Sequence, residues 1–182
     1  MQKLINIEFF SAPEGEVMIR DIEGVSTYKP EDKELTASLF AVIEADYPKA
    51  FKALSEMYHK SRANVNYFRF LVCRRFIRCN FGLLDRTLDI DGAGRFHFEE
   101  IDCPMAGECK NYKVVCSPEF NNKLSARQTE VMKLYMEGMG ESEIGEMLSI
   151  SPATVVTTKR DAMRKTECHS LAEFTIKFKD KI

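Results

Sequence analysis

LSARQTEVMKLYMEGMGESEIGEMLSISPATVVTTKRDAMRKT, residues 124 to 166, marks its helix boundaries more clearly than any other part of the chain. Ser125 followed three residues later by Gln128 is a capping box: hydroxyl and amide satisfy N–H groups that a helix start leaves unpaired, so a helix should begin at Ala126. Val131, Leu134 and Tyr135 recur at helical spacing, and Gly138 with Gly140 gives the backbone freedom that ends such a helix. A short second helix fits Glu141 to Leu148. At the next start Ser151 offers a cap oxygen, and Pro152 stands at the first helical position, where its missing N–H costs nothing. The third helix is predicted from Pro152 to about Lys165.

Ile144, Leu148, Ile150, Val155 and Met163 form an apolar seam between helices two and three. Val156, Arg160 and Arg164 recur every fourth residue on another face, which is left free to meet a partner. Helix, tight turn and a longer helix with a basic outer face is the helix-turn-helix arrangement, whose second helix lies in the DNA major groove. Thr154, Thr158, Lys159 and Lys165 flank that face with phosphate-binding chemistry.

The spacing Leu124-Ser125-x-Arg127-x-x-Glu130-Val131, then Gly138, Glu143-Ile144, Leu148, Ile150-Ser151, Thr154-Val155 and Lys165 resembles the LuxR-type DNA-binding domain. The resemblance covers roughly the last third of the chain, and so many positions at fixed spacing are more specific than a lone motif. It implies a four-helix domain that binds double-stranded DNA, with the fourth helix, here Leu171 to Phe178, in dimer contact. The seam of that contact would be Leu171, Phe174 and Phe178. The chain departs from the family pattern at five positions. Gly140 stands where the family usually has Ser or Thr, Gly145 where it has Ala, Val156 where it has a cation, Thr158 where it has His, and Thr166 where it has Leu. With no cation at Val156, Thr157 and Arg160 are the base-reading candidates. The expected DNA-binding set is Thr154, Val156, Thr157, Thr158, Lys159, Arg160, Arg164 and Lys165.

A net charge of −2 would not point to nucleic acid by itself. Its distribution matters more. Residues 121–182 carry ten basic and nine acidic side chains, whereas residues 1–120 carry 16 and 19. In the third helix four cations face only Asp161, so the electrostatic footprint is local. The apolar start LINIEFF is short and soon followed by charge, which reads as neither signal peptide nor membrane span. The expected location is the cytoplasm, where six cysteines are thiols or metal ligands rather than disulfides.

Ahead of this domain, residues 1–120 read as a mostly helical part with a small β element and a cysteine-containing loop. Leu4 to Phe10 and Glu16 to Ile22, separated by Pro13 and Gly15, suggest a hairpin. Leu35, Leu39, Val42 and Ile43 share one helical face up to Tyr47-Pro48, and Phe51, Leu54 and Tyr58 continue into a second helix. Residues 60–81 hold six cations, no acid and five aromatic residues. Val65, Phe68, Val72, Phe76 and Cys79 fall at helical spacing, so this is an amphipathic helix with Arg74, Arg75 and Arg78 on its wet side; the alternative is a second nucleic-acid contact, since arginine beside aromatics suits backbone and base stacking. Ser117 to Lys123, with Pro118 and Asn121-Asn122, reads as a linker.

Asp89, Asp91, Gly94 and Glu100 match positions 1, 3, 6 and 12 of a calcium loop, but Ala93 stands where a third oxygen ligand is needed. The alternation around Asp91-Gly92 reads instead as two strands joined by a turn. Cys103, Cys109 and Cys116 lie in a segment without apolar periodicity, with Cys79 earlier. Three readings stay open: thiols packed as small apolar groups, four ligands of a structural zinc, the candidate cofactor, or a redox sensor.

His59, His97 and His169 have no nucleophile or paired carboxylate at telling spacing, and no phosphate-cradling glycine loop follows a strand, so no enzyme is expected. The front part shows no repeated strand-helix units, as a phosphoacceptor receiver domain would require. The expected protein is mainly α, with an α+β N-terminal part and a C-terminal four-helix helix-turn-helix domain at 121–182. Its expected function is sequence-specific transcriptional regulation as a homodimer on double-stranded DNA, without a membrane. The alternatives are a small sigma-like factor acting with RNA polymerase and a metal-stapled protein-interaction adaptor.

Overall fold

The N-terminal sheet begins as the hairpin expected from the alternation around Pro13-Gly15. In the computed structural model, which describes residues 3–179, 181 and 182, β1 (Glu8–Ser11) pairs antiparallel with β2 (Val17–Asp21), Phe9 opposite Ile19 and Ser11 opposite Val17. The turn closes through Gly15 N–H donating to the Ala12 carbonyl at 2.8 Å, with Gly15 at φ +81°, a conformation glycine adopts without Cβ strain. Period-two alternation buries Phe9, Val17 and Ile19 together. A third strand, β3 (Gly24–Thr27), extends the sheet in the order β1-β2-β3. It was not anticipated, because no residue in it is buried and it lacks an apolar face.

Three helices follow this sheet, the last of them packing against β1 and β2 and the first two packing on the last. α1 (Lys33–Asp46) and α2 (Pro48–Met57) meet at Tyr47-Pro48, where proline takes the first position of α2. A 3-10 turn (His59–Ser61) leads to α3 (Val65–Asn80), capped by the Asn64 side chain accepting the Tyr67 N–H at 3.2 Å. Leu35, Leu39 and Ile43 of α1, Leu54 of α2 and Val72, Phe76 and Ile77 of α3 are buried in one core. Phe70 and Phe76 of α3 point into that core, and the Arg62 and Arg69 guanidiniums lie over Phe68 and Phe40 at 5.9 and 5.4 Å. The second nucleic-acid contact considered for this helix therefore loses most of its stacking surface, because the rings are spent on packing.

Between Asn80 and Ala126 the chain forms neither helix nor strand. The hairpin expected around Asp91-Gly92 contracts to a single bridge, Ile90 to Phe96, with Ile90 also bridged to Ile7. Asp89 is 1% exposed and accepts the Phe9 N–H at 2.6 Å, while Asp91 accepts the Ala93 and Arg95 N–H groups and the Arg95 Nε–H. These carboxylates are committed to backbone and arginine, which leaves no calcium loop. Residues 117–121 are not a free linker either: Pro118 is buried, Asn121 N–H donates to the Asp46 carbonyl at 2.7 Å, and Lys49 pairs with Glu119.

The chain divides into two compact units, residues 1–121 and Asn122–Ile182. The second unit is helical throughout: α4 (Ala126–Met136), α5 (Glu141–Leu148), α6 (Pro152–Thr166) and α7 (Leu171–Phe178). Val131, Met132, Tyr135, Ile144, Val155 and Phe174 are buried in its core. Among the described residues no helix is long and apolar enough to cross a membrane.

Candidate nucleic-acid interface

The geometry of the second unit starts from its caps. Ser125 Oγ accepts the Gln128 N–H at 3.3 Å and Gln128 Oε1 accepts the Ser125 N–H at 3.1 Å, a complete capping box that fixes where α4 begins. Gly140, with no side chain, caps α5 in only one direction: its N–H donates to Glu143 Oε2 at 2.8 Å. The turn between α5 and α6 is tight. Ser149 takes the left-handed conformation at φ +53°, and Ile150 N–H donates back to the Gly145 carbonyl at 2.9 Å. A Cβ on Gly145 would lie 2.7 Å from the Ile150 carbonyl oxygen, so the absence of a side chain is what lets the two helices approach this closely. Arg127 secures the same corner, donating from Nη2 to the Leu148 carbonyl at 2.6 Å.

α6 then leaves the turn from a Ser151 cap whose Oγ accepts the Thr154 N–H at 3.1 Å. Val155 and Ala162 are fully buried beneath it, and they fix which side of α6 faces out. Thr154, Val156, Thr157, Arg160, Arg164 and Lys165 are exposed, while Thr158 and Lys159 are half-buried. The eight residues expected to contact DNA thus lie on one helix, six of them in solvent. Val156 is 49% exposed without an apolar partner surface to justify it.

The polar groups of this face differ in how free they are. The Thr157 hydroxyl donates to the Ala153 carbonyl at 3.0 Å and the Thr158 hydroxyl to the Thr154 carbonyl at 2.8 Å. Each therefore presents a methyl group and acceptor lone pairs outward, not a donor. Arg164 pairs with Asp161 at 3.2 Å, and Lys159 Nζ sits 4.1 Å above the Tyr135 ring. The Tyr135 hydroxyl donates to Glu141 Oε1 at 3.1 Å, and burial followed by that contact pushes the phenol up to about 12. Lys165 Nζ donates to Gln128 Oε1 at 2.8 Å. Among the described residues Arg160 has no ion-pair partner, so its planar fork of donors stays available. Tyr135 and Gln128 were missed as partners of these lysines, and no spacing could have revealed them, since they lie on α4.

On α7 the expectation changes. Phe174 and Phe178, placed in a dimer seam by the sequence, are 0% and 2% exposed and stack on each other at 4.5 Å inside their own unit. Burial within the domain is available to them without a second copy, and it wins. Ile176, on the other side, is 54% exposed.

In the N-terminal unit Cys79, Cys103, Cys109 and Cys116 line one cavity of about 280 Å³. Among the described residues no three His, Cys, Asp or Glu side chains are gathered closely enough to hold a metal ion as they stand.

Residues 122–178 match the family of bacterial regulatory proteins, luxR family. The C-terminal unit is a LuxR-type helix-turn-helix domain. The chain is also similar to an uncharacterized response regulatory protein, YgeK, of Escherichia coli (strain K12), with 28% identity over 87 residues, 48% of this chain and 55% of that protein. The chain thus spans about half the length of this curated relative. No solved structure matches the chain.

Proposed function

We propose, from the LuxR-type domain of residues 122–178, that the protein is a sequence-specific transcriptional regulator that places α6 in the major groove of duplex DNA. The observation that carries this reading is the outer face of α6, where an exposed valine, two threonines turned methyl-outward and an unpaired arginine stand over a rigid, doubly capped scaffold. Arg160 suits the O6 and N7 acceptors of guanine, and Val156 with the Thr157 methyl suits thymine methyl groups. Thr154, Thr158, Lys159, Arg164 and Lys165 flank them with groups that hold phosphates. The protein is then a binding protein of the cytoplasm, not an enzyme. It binds as a homodimer, and with Phe174 and Phe178 already used inside the unit, the dimer contact falls to the outer face of α7 around Ile176.

The test is selection of bound sequences from a random duplex pool with the purified chain alone. The reading expects a compact, two-fold related motif and an affinity that falls steeply as salt rises. Recovery of a motif only in the presence of RNA polymerase would favour the sigma-like alternative, and no enrichment at low salt would contradict DNA reading altogether.

A further inference from the structure

The cavity of the N-terminal unit has an apolar side and a basic side. Met57, Ile101, Met105, Tyr112 and Val115 form the first, Arg75 and Arg78 the second. At about 280 Å³ it lies at the lower end of small-molecule sites, which combine a mostly apolar lining with a few placed polar groups.

Both arginines belong to α3, three residues apart and so neighbours on its surface. Arg75 is half-buried and Arg78 exposed, and among the described residues neither makes an ion pair. The Arg75 guanidinium is pulled down by burial and lifted further by the Cys79 thiol, the Tyr58 phenol and the Cys109 thiol, none of them a carboxylate. Among the described residues Asp102 is the only carboxylate on the cavity wall, and it is exposed and in no ion pair. A partly desolvated guanidinium with no carboxylate attached keeps its planar fork of donors for a bound anion.

The facing wall is held in place by the chain itself. Asn80, fully buried at the end of α3, donates from Nδ2 to the Val115 carbonyl at 2.9 Å and accepts the Ser117 N–H at Oδ1 at 3.2 Å. Cys109 N–H donates to the Met105 carbonyl at 2.8 Å and Val115 N–H to the Asn111 carbonyl at 3.0 Å, so the turns that carry Met105, Tyr112 and Val115 are fixed against α3. Met57, Met105 and Tyr112 are nevertheless exposed, and from Ile101 to Ser117 Val115 alone is a buried apolar side chain. Large apolar groups left in solvent around one concavity mark a place where a ligand completes the core. Two thioethers and a phenol ring suit a flat aromatic body, because sulfur–ring and ring–ring contacts are both favourable.

We propose that this cavity binds a small aromatic monocarboxylate, its carboxylate on the Arg75 fork with Arg78 beside it and its ring against Met57, Met105 and Tyr112. The acid gains both the charge-assisted hydrogen bonds and the burial of its ring, whereas the neutral amide of the same shape gains only the second. The cavity is too small, and its two cations too few, for a nucleotide. The inference stands on the N-terminal unit alone and does not depend on the DNA-binding reading.

The test is titration of the full chain, labelled at its methionine methyl groups, with phenylacetate and with phenylacetamide, followed by nuclear magnetic resonance. Phenylacetate should shift the Met57 and Met105 signals saturably and leave Met132 and Met147 of the second unit in place, and phenylacetamide should bind at least tenfold more weakly. Arg75→Gln should lower the affinity for phenylacetate at least tenfold and leave that for the amide unchanged; if this variant fails to fold, the acid and amide titrations of the unaltered chain decide. Equal affinity for acid and amide would overturn the proposal, as would the absence of Met57 and Met105 shifts with phenylacetate, benzoate and indole-3-acetate alike up to about 10 mM, a concentration that reveals even millimolar binding.

Discussion

Lys165 near the end of α6 donates from Nζ to Gln128 Oε1 at 2.8 Å, and the same oxygen accepts the Ser125 N–H at the start of α4. The box that begins the first helix of the domain is thereby tied to the last turn of α6. Lys165→Met keeps the apolar stem and removes the tie. It should cost about 0.5–1.5 kcal/mol of stability, the range of one net hydrogen bond at a partly exposed site. Under the proposed phosphate role it should also weaken all duplex sequences alike and flatten the salt slope by roughly one unit. Denaturant unfolding and a salt series of binding titrations separate the two effects; an unchanged midpoint would show that the tie is not made in solution.

Gly145 is the tightest point of the turn. A β-branched side chain there meets the Ile150 carbonyl, a backbone atom that cannot swing away. Gly145→Val should cost about 2–4 kcal/mol, in the range of forced overpacking, and lower the melting temperature accordingly. A variant that melts like the parent would mean that α5 and α6 are further apart than described.

The two faces of α7 should separate under mutation. Phe174→Asp places a charge where the side chain is fully buried and should unfold the second unit, as judged by loss of its helical circular dichroism. Ile176→Asp, on the exposed face, should leave the unit folded and abolish cooperative binding to paired half-sites. Cooperative binding by a folded Ile176→Asp variant would place the dimer contact elsewhere.

Asp89 makes the N-terminal unit sensitive to pH. Burial, offset in part by the Phe9 N–H and reinforced by Glu99, Glu8 and Asp85, raises its carboxyl from the ordinary value near 4 to about 8. Burial raises Glu8 as well, in the same direction. The folded state then holds a proton that the unfolded chain releases, so the stabilisation is complete below about pH 4 and is lost as pH rises towards 8. The slope from this one residue reaches at most about 1.4 kcal/mol per pH unit. Asp89→Asn keeps an acceptor for the Phe9 N–H and should flatten the fall; thermal melts of parent and variant between pH 5 and 8 with equal slopes would contradict this.

Much of the second unit was legible in its sequence because its boundaries are chemical. Ser125 with Gln128 and Ser151 with Pro152 give their signals within four residues, and α4 and α6 start where those signals stand. The outward face of α6 followed from the same periodicity. What periodicity could not give was the direction of α7: an apolar stripe of Leu171, Phe174 and Phe178 looks the same whether its own domain or a second copy covers it. In the N-terminal unit α1, α2 and the first hairpin were readable, but β3 has no buried face and residues 81–125 are held by long-range contacts. Asn80 reaching Val115 and Asp89 reaching Phe9 leave no local mark.

Under the proposed function α6 reads base edges through Arg160. The direct measurement is the affinity of the parent and of Arg160→Ala for the selected duplex and for a scrambled duplex of equal length, at one salt concentration. Loss of about 1–3 kcal/mol on the selected duplex with little change on the scrambled one, and hence a relaxed preference, is the predicted result. An equal loss on both duplexes would contradict base reading by Arg160 and reduce it to a phosphate contact.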